Sequence, residues 1–134
     1  MIAYPLTAAT TLMIVLLMFW TAARVGMARK RHGVSAPAVT GHPLFERAYR
    51  VQMNTLEWAV MFMPCLWVCA GFVADWLGAL LGAIWVVARV WYMLSYQRDP
   101  ARRGPAFLCA ALAFAVAGLL AGGGVARVVI WGIP

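Results

Sequence analysis

Four long stretches of this chain are apolar with hardly a charge inside them. Residues 2–23 carry none, and residues 106–126 carry none. Residues 56–74 hold one, Glu57, at the edge, and residues 76–88 continue into 90–96 with Arg89 as the only interruption. A helix crosses the hydrocarbon core with about 20 such residues. Barrel strands would instead alternate polar and apolar positions over segments of about 10 residues. The pattern therefore predicts an all-α membrane protein, a four-helix transmembrane bundle with helices near 3–31, 43–73, 76–97 and 104–130. At this length the whole of 1–134 is expected to form one domain.

The stretches between the helices are short. Residues 32–42 are the only segment with loop composition, punctuated by Gly33, Pro37 and Gly41. Pro43 suits the first turn of the second helix, where a missing N–H is no loss. That helix would be about 45 Å long at ~1.5 Å per residue, against a core of about 30 Å. Its first turns, residues 45–51, are thus expected to project into the interface, and Pro64 to kink it. Asp75 is expected to cap the third helix, and the glycines at 122–124 to weaken the end of the fourth.

Composition agrees with a bilayer setting. Hydrophobic residues are 65% of the chain and charged residues 11%, whereas soluble domains hold roughly 45–50% apolar residues. The net charge of +7 is distributed by topology. Arg24, Arg29, Lys30, Arg31, Arg47 and Arg50 surround the first connection, and Arg98, Arg102 and Arg103 the third. By the positive-inside rule these connections are cytoplasmic and both termini face the other side. The segment before the first apolar run (Met1 to Pro5) lacks Lys and Arg, so that helix is expected to be retained as a span and not cleaved. This arrangement, with no retention signal in the last four residues, fits a bacterial inner membrane. Nothing resembles a nucleic-acid reading module. Cys65, Cys69 and Cys109 lie in apolar runs without a nearby His, so packing is their expected role and no metal site is predicted.

The chemistry-bearing residues gather near the cytoplasmic ends. On the second helix Glu46, Arg47, Arg50, Asn54 and Glu57 share one stripe, with Gln52 on the opposite side. Gln52 could serve the same ligand only from a second subunit. On the third helix Arg89, Tyr92 and Tyr96 share a face. Ionisable groups in a bilayer are costly and are paired or functional. One reading has Arg50 paired with Glu46 or Glu57, and Arg89 snorkelling or paired with Glu57. Yet every basic residue but Arg127 lies at this end, opposed only by Glu46, Glu57 and Asp99. That surplus, set among tyrosines and an Asn, suits a small polar anion, with lipid phosphate as a competing partner.

The run Glu46-Arg47-Ala48-Tyr49-Arg50-Val51-Gln52-Met53-Asn54-Thr55-Leu56-Glu57 resembles the signature of the membrane-associated proteins in eicosanoid and glutathione metabolism, the MAPEG family. The shared pattern is an Arg, a Gln two later, an Asn four later and a Glu seven later. Residues 34–41 and 88–98 resemble the leukotriene-forming and microsomal glutathione transferase branch. The resemblance implies a homotrimer with glutathione bound between neighbours at the cytoplasmic side. It implies that Arg50, Gln52 and Asn54 contact the carboxylates and backbone of the tripeptide, and that Glu57 takes its amine. Arg29, Arg89, Tyr92 and Tyr96 would complete the cradle, and Arg103 would stand beside the sulfur as the catalytic residue. A guanidinium there favours the thiolate, which is the nucleophile. The expected activity is glutathione conjugation to a lipophilic electrophile drawn from the membrane, with lipid-hydroperoxide peroxidase activity beside it.

The sequence also departs from that branch. Trp58 stands where the leukotriene-forming enzymes carry a Tyr, the proline of the second helix comes about one turn later, and Lys30 replaces an arginine. Arg102 adjoins Arg103, so the spacing leaves open which one reaches the sulfur. Two other functions compete. One is a non-catalytic lipid-binding or scaffold protein of the same family. The other is a proton-coupled multidrug transporter using Glu57, which the surrounding arginines would hold ionised.

Overall fold

The chain is described by a computed structural model over residues 4–132. It contains four long helices: α1 (Pro5–His32), α2 (Pro43–Phe72), α3 (Asp75–Arg98) and α4 (Gly104–Trp131), with a 3₁₀ turn at Pro100–Arg103 before α4. The expected spans agree with these ends to within one or two residues, apart from the start near residue 3, which lies outside the described residues. All four helices are long and apolar enough to cross a membrane, and the chain is an integral, multi-pass membrane protein.

Helices α2 and α3 form the central pair, each packed against both α1 and α4, so that α1 and α4 flank them. The core is Ile14, Phe62, Leu66, Trp85 and a row of alanines on α4 (Ala110, Ala113, Ala117, Ala121). Small residues every three or four positions let α4 approach closely, as helices packed in lipid require. Gly78 and Gly82 do the same for α3 against α1. A Cβ on Gly82 would stand 2.3 Å from Thr10 Cγ2, and one on Gly78 would stand 2.9 Å from Thr7 Oγ1.

One local expectation is corrected. The Asp75 carboxylate opens α3 but serves α1: it accepts from Leu6 N–H at 3.0 Å and Thr7 N–H at 2.8 Å. The amides at the start of α1 lack intrahelical acceptors, and the very short α2–α3 turn delivers a carboxylate to them. Helix α4 runs through the glycines at 122–124 and continues to Trp131. Gly124 lies where a Cβ would meet Phe72 Cβ at 2.8 Å. Pro64 sits inside a helix that continues on both sides of it.

At the basic end the α1–α2 connection is fastened down. Gly33 closes α1 in the left-handed conformation at φ 66°, and Val34 is buried with Val25, Phe45 and Ala48. The α1–α2 and α3–α4 connections thus sit at the same end of the bundle, above the polar turns of α2 and α3.

Candidate functional site

Of the clefts at this basic end, two lie on opposite flanks of the α2–α3 pair. The larger, about 590 Å³, is bounded by α2, α3 and the start of α4, and is lined by Arg50, Asn54, Glu57, Tyr92, Tyr96 and Arg103 with Met53, Gly104 and Phe107. Its volume falls within the ~300–1,000 Å³ of small-molecule sites. Residues 50, 54 and 57 reach it because they recur every three or four positions along α2, and 92 and 96 because they do so along α3. The 3₁₀ turn carries Arg103 to its edge, with the guanidinium 5.3 Å from the centre of the Tyr96 ring.

The lining is polar and unneutralised. Arg50, Glu57 and Arg103 are all exposed. Among the described residues the one salt bridge is Arg102 Nε to Asp99 at 3.5 Å, so no ion pair joins Arg50 to Glu46 or Glu57, or Arg89 to Glu57. Arg102 is held by Asp99 and lines a separate pocket with Trp91 and Arg98. Arg103 is the member of the pair that faces the larger cleft.

Arg89 lies behind the cleft wall, fully buried. Its Nη1 donates to Asn54 Oδ1 at 2.7 Å. Its guanidinium lies 5.2–5.3 Å from the ring centres of Trp58, Trp85 and Tyr92, within cation–π range. Among the described residues Nε and Nη2 have no hydrogen-bond partner. A donor at Asn54 Oδ1 fixes which way the amide points. The two N–H donors of Nδ2 are thereby left free, on a residue that lines the cleft.

The remaining residues singled out in the sequence lie elsewhere. Arg29 donates to Val34 O at 3.2 Å and Ala38 O at 2.8 Å and stacks 4.6 Å from the centre of Phe45, so within one chain it holds the connection. Gln52 is half-buried and does not line the cleft. The single polar stripe expected on α2 divides. Glu46 turns back to accept from Gly41 N–H at 3.0 Å. Arg47 reaches the other way, to the carbonyls of Gln97 and Arg98 at 3.2 and 3.3 Å. Met53, Gly104 and Phe107 were not singled out. Met53 and Phe107 carry no polar signal, and only helix packing brings them to the cleft.

Comparison with known proteins gives the same grouping. The profile of the MAPEG family matches residues 7–123. The chain is 41% identical over 88 residues to an uncharacterized protein of Synechocystis, covering 66% of this chain and 64% of that one. It is 38% identical over 122 residues to leukotriene C4 synthase of Cavia porcellus, covering 87% and 81%. It is also 38% identical over 80 residues to microsomal glutathione S-transferase 2 of Mus musculus, covering 60% and 54%. The chain thus spans just under two thirds of the Synechocystis relative and about half of the mouse one. With the profile reaching from the start of α1 into α4 and taking in the whole polar end, this protein belongs to the MAPEG family.

Proposed function

We propose that this protein is a membrane-bound glutathione transferase, which holds glutathione in the larger cleft as its thiolate and conjugates it to a lipophilic electrophile. The observation that carries this reading is the charge pattern of the cleft: two unpaired guanidiniums, Arg50 and Arg103, with one unpaired carboxylate, Glu57. Glutathione in its thiolate form carries groups that complement these: a carboxylate for Arg50, the thiolate for Arg103 and the ammonium for Glu57, with its second carboxylate left to neutral donors such as Asn54. Charge-assisted hydrogen bonds of this kind are about twice as strong as neutral ones. Relatives named as a leukotriene C4 synthase and a microsomal glutathione transferase support the same chemistry.

In this reading Glu57 takes the γ-glutamyl ammonium, Arg50 a carboxylate, and the free Nδ2 donors of Asn54 a peptide carbonyl or carboxylate. Tyr92 and Tyr96 close the side formed by α3. Arg103 stabilises the thiolate electrostatically, and the thiol proton leaves to water, because a guanidinium cannot accept it at neutral pH. The sulfur then forms a bond to the electrophilic carbon, displacing its leaving group or opening its ring. With a lipid hydroperoxide the same thiolate would attack oxygen, and a second glutathione would complete reduction to the alcohol, glutathione disulfide and water. Arg29 and Gln52 do not line this cleft, so their service to the same ligand requires a neighbouring copy; we take the assembly to be a homotrimer with shared sites. We take the basic connections to be cytoplasmic, by the positive-inside rule, and the membrane to be a bacterial inner membrane, a setting suited to detoxification.

A second reading, non-catalytic lipid binding, is favoured by one feature. An apolar groove of about 470 Å³ runs between α2 and α4, past Pro64, Val68, Val125 and Val129. Calorimetric titration of glutathione separates the readings. The transferase predicts saturable binding that weakens about tenfold in Glu57→Gln, the loss of one charged hydrogen bond. Absence of binding, with retained capture of fatty acid, supports the lipid-binding alternative.

A further inference from the structure

The second cleft has no part in the proposed catalysis, and its chemistry differs from that of the first. It lies between α1, α2 and the end of α3, encloses about 340 Å³, and is lined by Arg24, Arg31, His32, Arg47, Gln97 and Met27 among others. Among the described residues no carboxylate lines it. Arg24 donates to the side chain of Gln97, and Arg47 to the Gln97 and Arg98 carbonyls. The nearest acid along the chain, Glu46, is turned back on Gly41 N–H. Arg31 is exposed. Three guanidiniums therefore converge with only neutral acceptors among them.

Directly beneath it runs an apolar groove between α1 and α3, of similar volume, lined by Met13, Leu16, Trp20, Val86 and Val90. The two features belong to one face. On α1 the positions 13, 16, 20, 24, 27 and 31 recur every three or four residues, and 86, 90 and 97 on α3, spaced four and seven apart, also share one side of their helix. From Met13 to Arg31 the stripe is about 27 Å long at ~1.5 Å per residue, comparable to the ~30 Å hydrocarbon core. It is apolar as far as Trp20 and basic from Arg24 onward.

We propose that this face is a binding site for an anionic phospholipid. Its phosphate is held by Arg24, Arg31 and Arg47, and an acyl chain lies along the groove past Trp20. Guanidiniums match phosphate oxygens in geometry as well as charge, and the exposed apolar Met27 and Leu44 beside them suit the glycerol and upper acyl region. The inference rests on the membrane setting and not on the glutathione reading.

The test uses the full chain in nanodiscs of phosphatidylcholine containing a minority of phosphatidylglycerol, with bromine on the acyl chains of one lipid at a time. The Trp20 signal is taken as the difference between wild type and Trp20→Phe. Trp20 should be quenched more strongly by brominated phosphatidylglycerol than by brominated phosphatidylcholine. That preference should fall about fivefold in Arg31→Gln, and again by about as much when Arg24→Gln is added. Lys30→Gln removes the same charge from the neighbouring face of α1 and should leave the preference intact. Arg31 is exposed and, among the described residues, makes no hydrogen bond, so Arg31→Gln does not threaten the fold. Equal quenching by the two lipids, or an equal response to Arg31→Gln and Lys30→Gln, would overturn the proposal. So would the absence of quenching at Trp20, which would mean that protein fills the groove. Loss of the preference on adding millimolar inorganic phosphate would reassign the cleft to a free anion and overturn the lipid reading.

Discussion

Arg89 donates to Asn54 across 2.7 Å, and that contact ties a buried cation to the wall of an open cleft. The guanidinium is enclosed by aromatic rings and has no carboxylate partner. Its hydrogen bond to Asn54 is therefore the main polar compensation it receives, and it also sets the direction of the Asn54 amide.

Two substitutions separate these roles. Asn54→Leu leaves Arg89 without its acceptor and should cost about 2–3 kcal/mol, the scale of a buried hydrogen bond to a charge. Asn54→Asp supplies a carboxylate to Arg89, so thermal stability in detergent should be retained or raised. Both variants should bind glutathione at least tenfold more weakly, since both lose the Nδ2 donors. If Asn54→Asp binds as wild type does, the amide does not contact the tripeptide.

The close approach of α1 and α3 makes Gly82 intolerant of a side chain. Gly82→Ala places a methyl 2.3 Å from Thr10 Cγ2 and 3.3 Å from Leu66 Cδ1, and should cost about 1–3 kcal/mol by overpacking. Thr10→Ser removes the offending methyl and should restore most of the loss when combined with it. Gly26→Ala has open space around it and should be neutral or stabilising by up to about 1 kcal/mol. Thermal unfolding of the four variants measures the set.

Asp75 holds the start of α1 from 68 and 69 residues away in sequence. Asp75→Ala should cost about 1–2 kcal/mol, as for loss of a helix cap. Hydrogen exchange should quicken at the amides of Leu6 and Thr7, while the α2–α4 packing keeps its protection. Unchanged exchange at those two amides would show that other acceptors, such as water, serve them.

What the sequence discloses and what it hides divide along a physical line. The spans were legible because lipid excludes charge, while α1 runs on past its uncharged stretch to His32 and α2 starts before its own, at Pro43. Arg50, Asn54 and Glu57, like Tyr92 and Tyr96, were legible as faces because helical periodicity alone puts them together. Arg47 left the expected stripe because the carbonyls at the end of α3 lie within its reach, and no pattern in α2 announces α3. Asp75 was assigned to its own helix for the same reason, since its partners come from α1. Arg89 was grouped correctly with Tyr92 and Tyr96, but periodicity could not say that it lies behind the cleft wall. The choice between Arg102 and Arg103 as the residue facing the cleft depended on Asp99, three residues earlier, taking the first of them.

The central claim is that Arg103 makes this cleft a thiolate-forming site. The direct measurement is ultraviolet absorbance of the thiolate as glutathione is titrated at pH 7 into the purified protein, with Arg103→Ala and Arg102→Ala alongside. A free thiol with a pKa near ~8.5 is only a few per cent ionised there. The account predicts saturable thiolate absorbance in wild type and in Arg102→Ala, and its loss in Arg103→Ala with glutathione still bound. Thiolate formation undiminished in Arg103→Ala, or none in wild type, would contradict it.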